Sequence, residues 1–175
     1  MRLLSVGRLD VQKGFDRMLR ALAHPTLRAL PWHWNILGEG AQRPALTALA
    51  DTLGLSARVT LVGARPAVDG LCRAELLLSP SRYEGMPLVP LEGAEAGVCV
   101  VASRIASHEE LYERCPDALL PDDESAWPDA LGRFLRDDAL RARTTLAQRA
   151  ALGDNPRRVM FEAYEALYRA VMAAP

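Results

Sequence analysis

Short apolar runs alternate with helix-patterned segments along the first 122 residues, and this alternation limits the fold more than any other feature of the chain. Leu3 to Val6, Trp32 to Leu37, Val59 to Val62, Leu76 to Leu78 and Val98 to Ala102 read as strands, with Ala118 to Leu120 as a short sixth. Between them, Phe15, Leu19 and Leu22, then Leu46, Leu49 and Leu53, recur at helical spacing; a short helix is expected near Val68 to Arg73. The strand runs are rich in Val and Leu without polar alternation, as expected of strands buried on both faces. Strands of that kind separated by helices predict an α/β fold, a doubly wound parallel sheet of about six strands.

The remainder, 123–175, reads as helices at Trp127 to Arg136, Ala139 to Leu152 and a last helix over 156–172. Asn155-Pro156 supplies its cap and first-turn proline, and Met160, Tyr164, Leu167, Tyr168 and Val171 fall on one face. The whole chain, 1–175, is expected to be a single domain with an α/β core over 1–122 and a helical part over 123–175.

A formal net charge of −1 gives no reason to expect nucleic acid as partner. No apolar run approaches the ~20 residues of a membrane span, and no leader pattern opens the chain. Cys72, Cys99 and Cys115 lack metal-type spacing, which suggests a reduced, cytoplasmic protein. Of 21 basic side chains only Lys13 is a lysine. Where arginine is the default cation, one lysine hints at a place for a compact, flexible ammonium, although a GC-rich genome also favours arginine.

Ligands of open α/β sheets bind beyond the carboxyl ends of the strands, so the loops there carry the chemistry. After the first strand, Gly7-Arg8-Leu9-Asp10-Val11-Gln12-Lys13-Gly14 holds two cations that could converge on one anion near a helix start. The order of a phosphate-binding ATPase loop is absent. After the second strand, Gly38-Glu39-Gly40 either lets backbone approach a flat ligand or serves a tight turn; it is not a dinucleotide fingerprint.

After the fourth strand comes Ser81-Arg82-Tyr83-Glu84-Gly85-Met86-Pro87-Leu88-Val89-Pro90-Leu91-Glu92. Pro87 suits the first helical position and leaves the amides around Leu88 and Val89 free to bind phosphate. Glu84 precedes that terminus; Glu92 lies one turn up and leans back toward it. Carboxylates repel phosphate, so two of them flanking an anion site are expected to accept hydrogen bonds from hydroxyls. A nucleoside diphosphate sugar has hydroxyls on both sides of its phosphates. The plainer reading makes Glu84 a helix-dipole partner and Glu92 a solvated residue.

Ser107 to Glu110 reads as a capping box, with His108 either lining the site or exposed. Asp122-Asp123 and Asp137-Asp138 read as helix caps. His24 and His33 are isolated, and neither an Asp-x-Asp metal motif nor a Cys/His cluster is present.

These loops together resemble the donor-binding, C-terminal half of GT-B glycosyltransferases, in particular the retaining family 4. The likeness runs from Val6-Gly7-Arg8-Leu9 with Lys13-Gly14, through Leu37-Gly38-Glu39-Gly40 and Val59-Thr60-Leu61-Val62-Gly63, to Pro80-Ser81-Arg82-Tyr83-Glu84-Gly85. It continues over Pro87 to Glu92, Ala96-Gly97 and Val100-Val101-Ala102-Ser103, and the two glutamates match the family's Glu-x7-Glu spacing. The resemblance implies a Rossmann-like half of a GT-B fold, whose donor is UDP- or GDP-linked in preference to ADP-linked, with no cofactor or metal.

It further implies a catalytic set of Arg8 and Lys13 on the donor diphosphate and Glu84 on the transferred sugar. Glu92 would accept from the ribose. The backbone of Gly85, Met86, Pro87, Leu88 and Val89 would approach the sugar and distal phosphate, with Gly7, Gly38 and Gly40 beside it. Ala64 and Arg65 would border the base. Two departures stand out: Arg104-Ile105-Ala106-Ser107 replaces a more usual glycine or proline loop, and Gly93 sits inside a helix. The implied partner is an N-terminal acceptor domain, in the same or a separate chain, that binds a sugar or lipid-linked acceptor, placing the work in the cytoplasm or at the inner face of a membrane. A stand-alone nucleotide-sugar-binding or regulatory module is the alternative.

Overall fold

Five of the six expected apolar runs form strands in a computed structural model that describes residues 1–153 and, beyond them, residues 162, 164–166, 168, 169 and 172. They are β1 (Arg2–Val6), β2 (His33–Leu37), β3 (Val59–Gly63), β4 (Leu76–Ser79) and β5 (Cys99–Ala102). Every pairing is parallel and the order is β3-β2-β1-β4-β5. The chain winds outward from β1 to β3, then returns to the other side of β1. The reversal opens a crevice beyond the carboxyl ends of β1 and β4, where ligands of such sheets bind.

Eight helices cover the sheet within 1–153: α1 (Phe15–Leu22), α2 (Pro25–Arg28), α3 (Arg43–Thr52), α4 (Ala67–Leu71), α5 (Leu88–Glu95), α6 (Ala106–Leu111), α7 (Trp127–Arg136) and α8 (Asp138–Leu152). Alternation along the strands divides the interior into two cores. Leu3, Trp34, Ile36, Leu78 and Val101 meet Phe15, Met18 and Leu22 of α1 and Phe134 of α7. On the opposite face Leu4, Leu37, Leu77 and Val100 meet Leu71, Ala94 and Tyr112. The buried Ser5 hydroxyl is satisfied twice, donating to Leu78 O at 2.6 Å and accepting from Trp34 Nε1 at 3.1 Å.

The expected sixth strand is not formed. Leu119 makes a single parallel bridge to Ala102. Farther back along the β5 edge, the Gln148 amide of α8 accepts from Val100 N at 3.0 Å and donates to Val100 O at 2.7 Å. A side chain thus takes the ladder bonds that another strand would need.

Two of the expected helix caps form and one does not. Asp123 and Asp137 do cap turns, accepting from Ser125 N and Leu140 N. The capping box does not form: α6 starts after Ile105, so Ser107 lies inside it with a buried, unpartnered Oγ. The short α2 was not anticipated; Pro25 opens it and the fully buried Leu27 anchors it. The expected cap at Asn155-Pro156 and Met160, Leu167 and Val171 of the last helix lie outside the described residues. Tyr164 and Tyr168 are helical, exposed and stacked 6.5 Å apart.

Candidate functional site

Beyond β1 the chain makes one short turn, Val11–Lys13, before α1 begins. Asp10 caps that turn by accepting from Lys13 N at 3.2 Å. Gly14 then leaves it with φ +64°, and a Cβ there would lie 2.1 Å from Pro80 O. Only glycine allows the loops after β1 and β4 to touch at this point. Gly7 makes room within the first loop itself, where a Cβ would meet the Lys13 stem at 3.1 to 3.3 Å.

The loop after β4 is then tied to the first loop along its length. Arg82 N donates to Gln12 O at 2.7 Å, and the Arg82 guanidinium donates to Val11 O and to both carboxylate oxygens of Asp16. Those bonds to Arg82, outweighing partial burial, hold the Asp16 carboxyl at about 2. Arg17 reinforces the loop from beneath. It pairs with Glu124 at 2.7 Å, lies 4.5 Å over the Trp127 ring, and makes long bonds of 3.4 Å to Pro80 O and Ser81 O.

This frame brings Lys13 and Glu84 together. Lys13 Nζ is 2.6 Å from Glu84 Oε1, and their side chains are 21% and 9% exposed. Ser81 Oγ donates to the same oxygen at 2.7 Å, while Gln12 Nε2 reaches Oε2 at 3.3 Å and Tyr83 O at 3.0 Å. Oε1 therefore has two donors. Oε2 has one long one and keeps capacity for another.

Lys13 and Glu84 line a cavity of ≈ 220 Å³ with Ser79, Ser81, Met86, Pro87, Leu88 and Val89. Two larger hollows lie elsewhere. One of ≈ 590 Å³ beside α4 includes Arg65, and one of ≈ 420 Å³ lies between α1 and α3. The second is lined by the Asp16–Arg82 pair, which is spent on tying the loops together; neither contains Lys13, Glu84 or the start of α5, so the smaller cavity is the chemically informative one.

The helix beyond Glu84 starts one residue later than expected. Pro87 is the N-cap residue, not the first helical one, and α5 begins at Leu88. Leu88 N bonds Met86 O and Pro90 has no N–H, so the Val89 amide is the free donor of the first turn. Gly93 explains its own place in the helix: a Cβ would lie 2.4 Å from Leu77 Cδ2, so glycine lets α5 pack down onto β4. Glu92 is exposed, and among the described residues its side chain has no hydrogen-bond or ion-pair partner.

Other expected residues lie differently. Arg8 is 76% exposed at its side chain, pairs with Asp10 at 3.2 Å and does not line the cavity. Gly38 and Gly40 pack against the first loop, where Cβ atoms would come 1.8 Å from Gly7 O and 2.3 Å from Leu9 O. Ala64, Arg65 and Gly85 are exposed, as is Met86 at the rim. His108, given above as lining or exposed, is fully buried. Burial holds its imidazole below the usual histidine range. Sequence reasoning missed the contacts of Gln12, Asp16, Arg17 and Arg82, whose partners lie more than 60 residues away, and those of Ser81 and Ser103, joined to each other across 22 residues.

Residues 1–137 match the family model described as glycosyl transferases group 1. A D-inositol 3-phosphate glycosyltransferase of Corynebacterium urealyticum is 35% identical over 148 residues, covering 78% of this chain and 35% of that protein. The chain thus spans about a third of the length of such curated relatives. Among solved structures, S. aureus TarM in complex with Fondaparinux, alpha-GlcNAc-glycerol and UDP superposes with TM-score 0.84 at 20% identity, covering 95% of this chain and 35% of TarM. The C-terminal domain of the Francisella tularensis group 1 protein LpcC superposes with TM-score 0.71 at 18% identity, covering 86% and 84%. At those identities the two structures establish the fold, that of the C-terminal half of GT-B enzymes.

Proposed function

The chain belongs to the group 1 glycosyl transferases, and from that premise we propose that it is the half that binds a nucleoside diphosphate sugar. The observation that carries the proposal is the Lys13–Glu84 pair beside the free Val89 amide, at the sheet's crossover. An ammonium has three N–H groups, so Lys13 can keep Glu84 and still donate to phosphate oxygens. The helix terminus adds partial positive charge at the same place. Glu84 Oε2 takes a hydroxyl of the transferred sugar, and unpartnered Glu92 takes the ribose hydroxyls. Ala64 and Arg65 border the base.

Charge sharpens the role of Arg8. Lys13 is neutralised by Glu84, and Arg8 by Asp10, so a diphosphate of about −2 meets little net positive charge in the free chain. Arg8 is exposed and its pair is worth little in water, so it can turn onto the diphosphate at small cost. Fixed positive groups aimed at the departing diphosphate would then stabilise the charge that grows there. The UDP in the TarM structure supports a UDP-linked donor, with GDP next.

Transfer itself needs an acceptor, which we assign to an N-terminal domain acting in the cytoplasm or at the inner membrane face. Among the described residues no helix is long and apolar enough to cross a membrane. Calorimetry with UDP, GDP and ADP, each free and sugar-linked, tests the reading; absence of saturable binding to all of them sinks it. Glu92→Ala is expected to weaken every nucleoside diphosphate. Glu84→Ala should weaken mainly the sugar-linked ones.

A further inference from the structure

His108 is buried on α6, yet it is connected to the cavity through hydrogen bonds. Its Nδ1 is 2.8 Å from Ser103 O, which can only accept, so Nδ1 carries the proton. The Ser103 hydroxyl donates to Ser81 O, and the Ser81 hydroxyl donates to Glu84 Oε1 at 2.7 Å. The other ring nitrogen, Nε2, is buried without a partner. A ring held this deep at one bond and unsatisfied at the other needs an explanation. The charged groups acting on it are Glu84, from the loop after β4, and Lys13, from the loop after β1.

We propose that His108 is a positioning residue for Glu84, acting through Ser103 and Ser81, and that it therefore governs recognition of the sugar more than that of the nucleotide. The proposal rests on the donor-binding reading above. His108 holds the Ser103 carbonyl; Ser103 fixes the Ser81 backbone; Ser81 orients the carboxylate whose second oxygen faces the ligand.

The test uses the whole chain with UDP, UDP-glucose, GDP and GDP-mannose in calorimetry. His108→Leu should lose about tenfold in affinity for the sugar-linked ligand that wild type binds, and less than about twofold for its free diphosphate. His108→Asn, whose amide N–H replaces Nδ1–H, should restore most of the loss. Ser81→Ala, a smaller change, should reproduce His108→Leu and serves if that variant does not fold. Equal losses for both ligands, or no rescue by asparagine, overturn the proposal.

A second arm needs no ligand. In the imidazole titration followed by NMR, Glu84→Gln should move the His108 midpoint down and Lys13→Met should move it up; no movement in either also overturns it. A wild-type chain that binds none of the ligands refutes donor binding and the sugar-recognition role with it, while this titration still decides whether the ring is coupled to the Glu84 loop.

Discussion

Lys13 shows how a residue acquires meaning from its surroundings. Its stem passes over Gly7, where a side chain would crowd it, and its ammonium ends on a carboxylate that is 9% exposed. Removing one member of a buried pair leaves the other charge uncompensated. Ser81 and Gln12 still donate to Glu84, which moderates the penalty. Lys13→Met should therefore cost about 2 kcal/mol of stability in urea unfolding, and Lys13→Met with Glu84→Gln should cost less than the sum of the two. Nucleoside diphosphate affinity should fall more than about tenfold in Lys13→Met. An additive double variant would mean that the pair contributes nothing as a pair. The lone lysine was visible in the sequence. Its partner was not, because 71 residues separate them.

At the scale of elements, β4 and β5 were legible because apolar runs buried on both faces have few alternatives, whereas β3, at the sheet edge, has no fully buried residue although the same burial was expected of it. The same rule failed at Ala118 to Leu120. Apolarity there reports burial of Ala118 and Leu120, not pairing, and the edge bonds had already gone to Gln148. Gln148→Leu should unpair the Val100 N–H and C=O on the β5 edge. Each buried orphan costs about 1–3 kcal/mol, so the variant should lose about 2–6 kcal/mol in urea unfolding without altering ligand affinity. A change below about 0.5 kcal/mol would show that β5 finds other partners or water. The glycines were legible as special positions but not by purpose. Gly14, Gly38 and Gly40 are needed where backbone meets backbone, and a sequence does not record which distant carbonyl lies opposite.

Across the whole molecule, the site is where two loops lock together between two cores, so stability and site share charged groups that titrate. Asp16 and His108 mark two separate pH windows. Bonded to Arg82, Asp16 has a folded value of about 2, below its unfolded one. Its contribution is complete above the unfolded value near 3.9 and is lost as pH falls toward 2. Partial exposure limits that contribution to about 1 kcal/mol. His108 is also lowered, by burial, so the folded chain resists its protonation. The unfolded chain takes up that proton first, and stability falls as pH drops below the ordinary histidine value near 6.5. Urea unfolding at successive pH values should show a decline starting there and a second one below about 4. His108→Asn should flatten the first decline and leave the second, and Asp16→Asn should do the reverse. If His108→Asn leaves the first decline unchanged, the ring is not held neutral by the fold.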